Sequence, residues 1–294
     1  MIFNKLLEIS GHSGPVYSLA FSNFKLYSSS SDKWVAQWNL ETGIQDSFSI
    51  QVDSVAYSIY HCKNLPLLLI GCSNGNLHVI DTDSKKELKF LKHHSTAIFS
   101  MVEIPNKDFI LTGDLEGNMC VWNLPSFKLA LQLPLNCGKI RQILLSHDHS
   151  KICIASKDGK LRIFETIFFN QITEIQINDN GIQSILELKN TLILAGYDGY
   201  LYQLNKKTLI ITKKIPAHKG AIYSIIELDE DLFVTASRDK TIKIWSKSDL
   251  SVVEKKEIKT GGHKNSVNYL LKLNLQTIAS CSDDGKIILW EKKD

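Results

Sequence analysis

Short apolar runs alternate with polar turns along the whole chain, and their spacing predicts strands. The segment Lys160–Phe164 alternates polar and apolar side chains, and a period of two residues is typical of a half-buried β-strand. The segment Asp231–Ser237 is apolar with small residues and ends at a turn, as expected of a buried strand. No segment has a helical period of 3.6 residues, so the pattern predicts an all-β protein.

The strand pattern repeats, and the repeat is clearest in a large residue that closes one strand of each unit. Successive closing residues lie roughly 40 to 45 residues apart. They are Trp38, Ile80, Trp122, Phe164, Leu204, Trp245 and Trp290. A period of this length is typical of a four-stranded propeller blade. Residues 1–294 are therefore predicted to form one domain, a seven-bladed β-propeller with four antiparallel strands per blade.

A turn-forming side chain stands six residues before each closing residue. These side chains are Asp32, Asn74, Glu116, Asp158, Asp198, Asp239 and Asp284. A glycine follows in five repeats, at Gly75, Gly117, Gly159, Gly199 and Gly285. Asp and Asn bond to their own turn backbone and Gly takes a positive φ, so each pair predicts a hairpin between two antiparallel strands.

The two ends of the sequence predict how the seventh blade is completed. Trp290 lies four residues from the last residue, so the seventh repeat has three strands of its own. The segment Ile2–Ile9 stands before Gly11-His12, where every other repeat has the outer strand of the preceding blade. We expect this segment to complete blade 7, because a closed propeller removes an exposed sheet edge.

Four repeats that end in Trp also carry a histidine upstream, at His12, His94, His218 and His263. The Gly-His element, the turn Asp and the closing Trp have the order and spacing of the WD-repeat family, which the sequence resembles over almost its whole length. The resemblance implies a structural tetrad of His, Ser or Thr, Asp and Trp in repeats 1, 6 and 7, and it fixes the hydroxyl less closely than the other members. The implied sets are His12, Ser30, Asp32 and Trp38; His218, Ser237, Asp239 and Trp245; and His263, Ser282, Asp284 and Trp290.

The other repeats depart from the family pattern. Repeat 3 has Glu116 at the Asp position and Asp114 at the Ser position. Repeats 2, 4 and 5 have Val52, Asn136 and Asn178 in place of His, and we expect these blades to depend on packing alone. The dipeptide Trp-Asp itself does not occur.

The resemblance also implies which side chains face the narrower end of the propeller, near its channel. One set is Tyr17, Tyr57, Phe99, Arg141, Gln183, Tyr223 and Asn268, and the other is Ser31, Ser73, Leu115, Lys157, Tyr197, Arg238 and Asp283. Aromatic and basic side chains on one surface are typical of protein recognition. The predicted partner-binding rim is Tyr17, Tyr57, Phe99, Leu115, Arg141, Lys157, Tyr197, Tyr223 and Arg238. The alternative is that these aromatic rings only cover the channel lining.

Composition narrows the class of protein and of partner. With 44% hydrophobic and 22% charged residues the chain is an ordinary globular protein. Its net charge of +3 is interspersed, which favours neither nucleic acid nor membrane as a partner. The start lacks the apolar run of a signal sequence, so we expect a cytoplasmic protein. Six cysteines without paired metal-ligand spacing predict reduced, buried thiols, with no disulfide and no zinc.

No set of side chains predicts catalysis. His147-Asp148-His149 aligns with a hairpin turn and lacks a third metal ligand, and the Ser28–Ser31 run has no base beside it. We therefore expect no enzyme, no metal and no cofactor, but a monomeric scaffold or adaptor that binds a peptide or protein segment at the rim. Two alternatives stay open, an enzyme with a small-molecule pocket at the channel mouth and an obligate subunit of a larger complex.

Overall fold

The computed structural model describes residues 3–293, and their regular structure is almost entirely strand. The strands of the first half are β1 (Phe3–Ser10); β2 (Val16–Ser22), β3 (Lys25–Ser30), β4 (Trp34–Trp38) and β5 (Gln45–Gln51) of blade 1; β6 (Ala56–His61), β7 (Leu67–Cys72), β8 (Asn76–Asp81) and β9 (Lys86–Lys92) of blade 2; and β10 (Ile98–Ile104), β11 (Phe109–Asp114), β12 (Asn118–Asn123) and β13 (Leu129–Pro134) of blade 3.

The remaining strands continue the same series. They are β14 (Ile140–Leu145), β15 (Lys151–Ser156), β16 (Lys160–Glu165) and β17 (Gln171–Gln176) of blade 4; β18 (Ile182–Glu187), β19 (Thr191–Gly196), β20 (Tyr200–Asn205) and β21 (Ile211–Pro216) of blade 5; β22 (Ile222–Glu227), β23 (Leu232–Ser237), β24 (Ile242–Ser246) and β25 (Val252–Lys256) of blade 6; and β26 (Val267–Lys272), β27 (Thr277–Ser282) and β28 (Lys286–Lys292) of blade 7.

Within residues 3–293 these strands form seven four-stranded sheets, one for each predicted repeat. Strands that follow one another in a sheet run antiparallel, as β10, β11, β12 and β13 do. The prediction of an all-β, seven-bladed propeller with four antiparallel strands per blade is confirmed. The longest helix in the same residues is a 3₁₀ turn at Ile258–Thr260, and no helix there is long and apolar enough to cross a membrane.

Blade 7 is completed by the N-terminal strand, as predicted. Its sheet order is β1-β28-β27-β26, and β1 pairs antiparallel with β28 from Phe3 opposite Lys292 to Ser10 opposite Lys286. Phe3 and Ile9 are each only 1% exposed, so β1 adds apolar side chains to the core as well as backbone pairing. Ile2, the first residue of the predicted segment, lies outside the described residues.

The hairpin between the second and third strands of each blade has the predicted turn chemistry. All five turn glycines have positive φ, from 75° at Gly285 to 90° at Gly117. In blades 1 and 6 the same position is held by Lys33 and Lys240, with φ of 69° and 71°. Because a Cβ at Gly75 would stand 2.1 Å from the carbonyl oxygen of His94, that turn excludes larger residues for a second reason.

The chain divides into two compact units. The first consists of the residues up to 56 and from 218 onward, and the second of residues 57–217. In the first unit Ile9 and Trp38 pack with Leu289, so blades 1 and 7 share an apolar core, and blades 6 and 7 share another. In the second unit three such clusters lie between blades 2 and 3, between blades 3 and 4, and between blades 4 and 5. The core of each unit therefore lies between its sheets.

Polar side chains on the innermost strands reinforce the packing of neighbouring blades. In the second unit the backbone N–H of Ile143 donates to Ser100 Oγ at 2.8 Å, and that of Ile185 donates to Gln142 Oε1 at 2.7 Å. Glu103 Oε2 accepts the N–H of Lys63, 40 residues earlier, at 2.7 Å. Such side chains satisfy strand-edge groups that would be costly if buried alone, and they hold the blade ends in a fixed arrangement.

Candidate functional site

Backbone geometry brings the two predicted rim positions of a blade to the same end of its sheet. The residue before the turn Asp donates its N–H to the carbonyl of the residue that precedes the innermost strand. These bonds, of 2.9–3.0 Å, join Leu115 to Ala97, Lys157 to Lys139 and Tyr197 to Gly181 in the second unit, and Ser31 to Pro15, Arg238 to Ala221 and Asp283 to Ser266 in the first. Lys157 therefore lies at the same end of blade 4 as Arg141.

The densest group of predicted rim residues lies in the second unit, around Phe99 of β10. The ring centroids of Tyr57 and Phe99 are 4.7 Å apart, with the planes inclined at 36°. Lys139 Nζ lies 3.3 Å from the centroid of the Phe99 ring, and Arg141 Cζ lies 5.7 Å from it. We call Tyr57, Phe99, Lys139, Arg141 and Lys157 the Phe99 cluster. Its two aromatic rings are half-buried, and Lys157 is exposed.

The electrostatics of the Phe99 cluster centre on Lys139. Burial lowers the pKa of Lys139 to about 6, with help from the positive charges of Arg141 and Lys157. The carboxylate of Asp158, next to Lys157 in sequence, is engaged elsewhere, since its Oδ2 lies 2.5 Å from a terminal nitrogen of Arg162. The amine of Lys139 is therefore mostly neutral at pH 7, beside two cations.

Lys139 was not among the predicted rim residues, although the repeat contains the signal. In the other six blades its position holds a residue that carries no charge, namely Pro15, Val55, Ala97, Gly181, Ala221 and Ser266. An ionisable side chain at a position otherwise held by small or apolar residues is a departure that a comparison of the repeats could have detected.

The other predicted rim residues differ in exposure. In the second unit Leu115 and Tyr197 are each 44% exposed, whereas Gln183 is buried. In the first unit Tyr17 and Tyr223 are half-buried and Arg238 is exposed. Also in that unit, Asn268 donates to Asp283 Oδ1 at 2.8 Å and to the carbonyl of Val16 at 2.9 Å, which ties blade 7 to blade 1.

The histidines of blades 1, 6 and 7 each contact the turn Asp of their own blade. The Nδ1 atoms of His12, His218 and His263 lie 2.9, 3.0 and 3.1 Å from a carboxylate oxygen of Asp32, Asp239 and Asp284. Burial acts to raise the pKa of Asp284, but hydrogen bonds from His263 and from two backbone N–H groups outweigh it and lower that pKa to about 2. The carboxylates of these networks are therefore charged at all physiological pH values.

The hydroxyl expected in each network was wrong by two residues. Trp38 Nε1 donates to Ser28 Oγ at 2.7 Å, and His12 Nε2 lies 2.7 Å from the same oxygen. In blades 6 and 7 the corresponding hydroxyls belong to Thr235 and Ser280. The predicted residues, Ser30, Ser237 and Ser282, instead accept the backbone N–H of the turn Asp, at 3.0–3.2 Å.

Blade 3 has a complete network in a shifted form. Asp114 occupies the role of the turn Asp, with its Oδ2 2.8 Å from His94 Nδ1. Thr112 contacts both His94 Nε2 and Trp122 Nε1, at 2.7 and 3.0 Å. The sequence departure at Glu116 is therefore compensated two residues earlier.

Blades 4 and 5 do not depend on packing alone, contrary to the sequence expectation. In blade 4 Arg162 donates to Ser156 Oγ at 3.0 Å and to both oxygens of Asp158. In blade 5 the hydroxyl of Tyr202 donates to Asp198 Oδ2 at 2.5 Å. A side chain from the third strand of the blade thus takes over the role of the missing histidine as partner of the turn Asp.

The contacts of Ser28, His12 and Asp32 follow the order of a nucleophile, a base and an orienting carboxylate, but their environment opposes catalysis. Ser28 is fully buried, and its oxygen already accepts the indole N–H of Trp38. A groove of about 320 Å³ beside it is lined by His12, Asp32, Trp34 and their neighbours, and Ser28 is not among them. A nucleophile needs an accessible oxygen, so these contacts fit a structural role.

The cysteines offer no reactive thiol in the structure. All six are buried as free thiols. Burial raises the pKa of Cys62, Cys120 and Cys153 to about 12, which leaves very little thiolate at neutral pH.

Comparison with known proteins identifies the repeat. The family model described as WD domain, G-beta repeat matches residues 3–39, 85–123, 209–246 and 255–291. WD repeat-containing protein 41 of Homo sapiens is 21% identical over 98% of this chain and 78% of its own length. The Striatin homolog of Dictyostelium discoideum is 22% identical over 97% of this chain and 29% of its own length.

WD repeat-containing protein 90 of Xenopus tropicalis is 20% identical over 70% of this chain. This chain spans 12% of the length of that protein and 29% of the Striatin homolog, so both relatives are much longer. The matched family segments make up about half of the chain. They contain the first three strands of blades 1, 3 and 6 and nearly all of those of blade 7, which are the blades that hold the histidine networks. This chain belongs to the WD-repeat family.

Proposed function

We propose that this chain is a non-catalytic protein-interaction module that binds a peptide or a loop of a partner protein at the Phe99 cluster. Phe99 and Tyr57 serve as apolar anchors, because large rigid rings bury much area for little rotamer entropy. Arg141 orients a carboxylate or carbonyl of the partner through its planar guanidinium. Leu115 and Tyr197, the other predicted rim residues of the second unit, extend this surface. Tyr17, Tyr223 and Arg238 lie in the first unit, and we propose that they contact a partner there.

The observation that carries this proposal is the packing of two half-buried aromatic rings, Tyr57 and Phe99, with the basic side chains of Lys139 and Arg141 against the Phe99 ring. Aromatic residues and Arg are enriched at the energetic centres of protein interfaces. Membership of the WD-repeat family supports a binding role. The buried and occupied hydroxyl of Ser28 supports the absence of nucleophilic catalysis.

The proposal is tested by capture of the main co-purifying partner from the native source. The double variant Phe99→Ala, Arg141→Ala should lose capture, since truncation of a central anchor commonly costs about 2 kcal/mol or more, roughly a 30-fold loss of affinity. The matched control is His147→Ala, His149→Ala, because these residues lie in the hairpin at the opposite end of blade 4. Thermal melts establish that both proteins are folded.

Loss of capture with the control pair but not with the cluster pair would place the binding surface at the other end of the blade. A tightly held small molecule in the purified protein would favour the enzyme alternative. Aggregation of the chain without its partner would favour the obligate subunit.

We also propose that residues 1–294 act as one domain in the cytoplasm. Six buried free thiols fit a reducing compartment. One domain should give a single calorimetric transition whose van't Hoff and calorimetric enthalpies agree, whereas two separate transitions would contradict it. Cell fractionation tests the location.

A further inference from the structure

We propose that Lys139, Arg141 and Lys157 form an oxyanion-binding subsite that recognises a carboxylate or a phosphorylated side chain of the bound protein segment. This inference deepens the proposed function and rests on it for the identity of the ligand. The subsite itself is a property of blade 4 and can be tested with small anions in the absence of any partner.

Three basic side chains, Lys139, Arg141 and Lys157, come together at one end of blade 4. Lys139 precedes β14, Arg141 lies on β14, and Lys157 follows β15, yet a backbone hydrogen bond of 3.0 Å from Lys157 to Lys139 brings these elements together. Arg141 and Lys157 are the two charges that act most strongly on the Lys139 amine, and both are positive. Arg141 and Lys157 are cations, and the Lys139 amine becomes a third when it binds a proton, so the positive potential of the three side chains favours an anion.

Two nearby carboxylates of blade 4, Asp158 and Glu174, are bound by other side chains. The carboxylate of Asp158 accepts hydrogen bonds from Arg162 on β16, from Ser156 and from the backbone of Lys160. Arg162 also lies 3.4 Å from Glu174 on β17, which in turn pairs with Lys160 at 2.6 Å. Asp158 and Glu174 are therefore paired with Arg162 and Lys160.

An aromatic surface lies under the amine of Lys139. Lys139 Nζ sits 3.3 Å from the centre of the Phe99 ring, and Tyr57 packs on that ring from β6. The negative face of the ring favours a protonated amine. An anion that binds here would favour the charged amine further, so binding should draw a proton onto Lys139. Cys137, the other titratable group close to Lys139 in sequence, is buried, and its pKa is raised.

The experiment measures saturable chemical-shift changes of backbone amides with sodium sulfate and, separately, sodium acetate at constant ionic strength. Neither anion titrates between pH 6 and pH 8, so changes in affinity report on the protein. We expect both anions to perturb the amides of residues 139, 141 and 157. The dissociation constant of sulfate should increase roughly tenfold between pH 6 and pH 8, because Lys139 loses its proton in this range.

Variants distinguish a titrating lysine from a general electrostatic effect. Lys139→Arg should bind sulfate with little pH dependence, because arginine stays charged. Lys139→Met and Arg141→Met should each weaken binding about tenfold, a loss typical of one charge-assisted contact. Lys151→Met is the matched control, because Lys151 is exposed at the opposite end of blade 4. Tighter binding of sulfate would assign the subsite to a phosphorylated side chain, and tighter binding of acetate to a carboxylate.

Absence of saturable shifts, or equal sulfate affinity in Lys139→Met and the unchanged protein, would overturn the subsite. Failure of the subsite is separable from failure of the proposed function. Loss of partner capture on Phe99→Ala without any sulfate binding would retain the binding surface and remove the subsite. Sulfate binding by the unchanged protein, together with full partner capture by Phe99→Ala, Arg141→Ala, would retain the subsite and remove the proposed binding surface.

Discussion

Blades 1, 3, 6 and 7 and blades 2, 4 and 5 have the same four strands but different polar centres. The first group joins a buried histidine to the turn Asp and the closing Trp, as in the contacts of His94 with Asp114 and Thr112. The second group lacks these histidines, and the family-model matches include none of the first three strands of its blades. The difference indicates that a blade does not require the histidine network: strand pairing and apolar packing are common to both groups, and in blades 4 and 5 another side chain is the partner of the turn Asp.

The blades without the histidine network are also where this chain carries unusual side chains. Blade 4 replaces the network by Arg162 with Asp158, and it contributes Lys139, Arg141 and Lys157 to the Phe99 cluster. In blade 4 both the polar centre, Arg162 with Asp158, and the basic side chains of the Phe99 cluster depart from the family pattern. Blade 4 is therefore the part of the chain in which we expect function to differ most from that of other family members.

The largest effect should come from removing the N-terminal strand, even though blade 7 retains its complete histidine network. Deletion of residues 1–9 exposes the edge of β28 and removes the buried Phe3 and Ile9. Burial of two such side chains contributes roughly 3 to 6 kcal/mol, and an open edge promotes aggregation. Thermal melts and size-exclusion chromatography should show early melting or aggregation.

The matched control for this deletion is Leu6→Ser, because Leu6 lies on the same strand but is 52% exposed. It should leave the melting temperature almost unchanged. A truncated protein that melts like the complete one would show that the network, and not the fourth strand, holds blade 7 together.

The next largest effect should separate the two groups of blades directly. Asp239→Ala in blade 6 deprives the fully buried His218 of its partner and should cost about 1 to 3 kcal/mol. Asn74→Ala, at the equivalent turn of blade 2, removes a turn bond to the N–H of Asn76 and should cost less than about 1 kcal/mol. Urea unfolding measures both values. Equal losses would contradict a special contribution of the histidine networks.

A smaller effect should test whether Arg162 replaces the histidine in blade 4. Asp158→Ala leaves a guanidinium with 6% exposure in contact with Ser156 Oγ and Glu174, so it should cost roughly 1 to 2 kcal/mol. Adding Arg162→Met should recover part of this loss, because the unpaired buried charge is removed. Urea unfolding of the single and double variants decides the point. A double variant that is less stable than the single one would show that Arg162 contributes mainly through packing.

The sequence predicted the blades, the turns and the closing strand because those features depend on local periodicity, which recurs in every repeat, and on turn glycines, which recur in five of them. The hydroxyl was misplaced because the side chains of Ser28 and Ser30 lie on the same face of β3. The strand register decides between them: Trp38 lies opposite Leu26, which puts Ser28 at a diagonal position within reach of the indole and Ser30 two residues further away.

The polar centres of blades 4 and 5 were missed for a related reason. Arg162 and Tyr202 occupy a third-strand position that seemed to be part of ordinary alternation, and their function depends on the position of the turn Asp in three dimensions. Lys139 was missed because its significance comes from Phe99, 40 residues earlier in the chain. Sequence spacing identifies a repeat, but contacts between neighbouring repeats require the packed structure.

The smallest expected effect has the opposite sign, and it sharpens the contrast between a stabilising network and a functional cluster. The folded-state pKa of Lys139, about 6, lies below the ordinary value of 10.5, so the unfolded chain binds more protons between these two pH values. Burial of this amine therefore opposes folding fully below about pH 6, and the opposition disappears as the pH rises towards 10.5.

Lys139→Met should consequently increase the stability at pH 6, by less than about 1 kcal/mol because the side chain is only half-buried. Its advantage over the unchanged protein should shrink between pH 6 and pH 9, and Lys151→Met, with an exposed side chain, should show no such trend. Urea unfolding at a series of pH values measures this difference, and a Lys139→Met protein that is less stable at pH 6 would mean that Lys139 belongs with the stabilising side chains of blade 4.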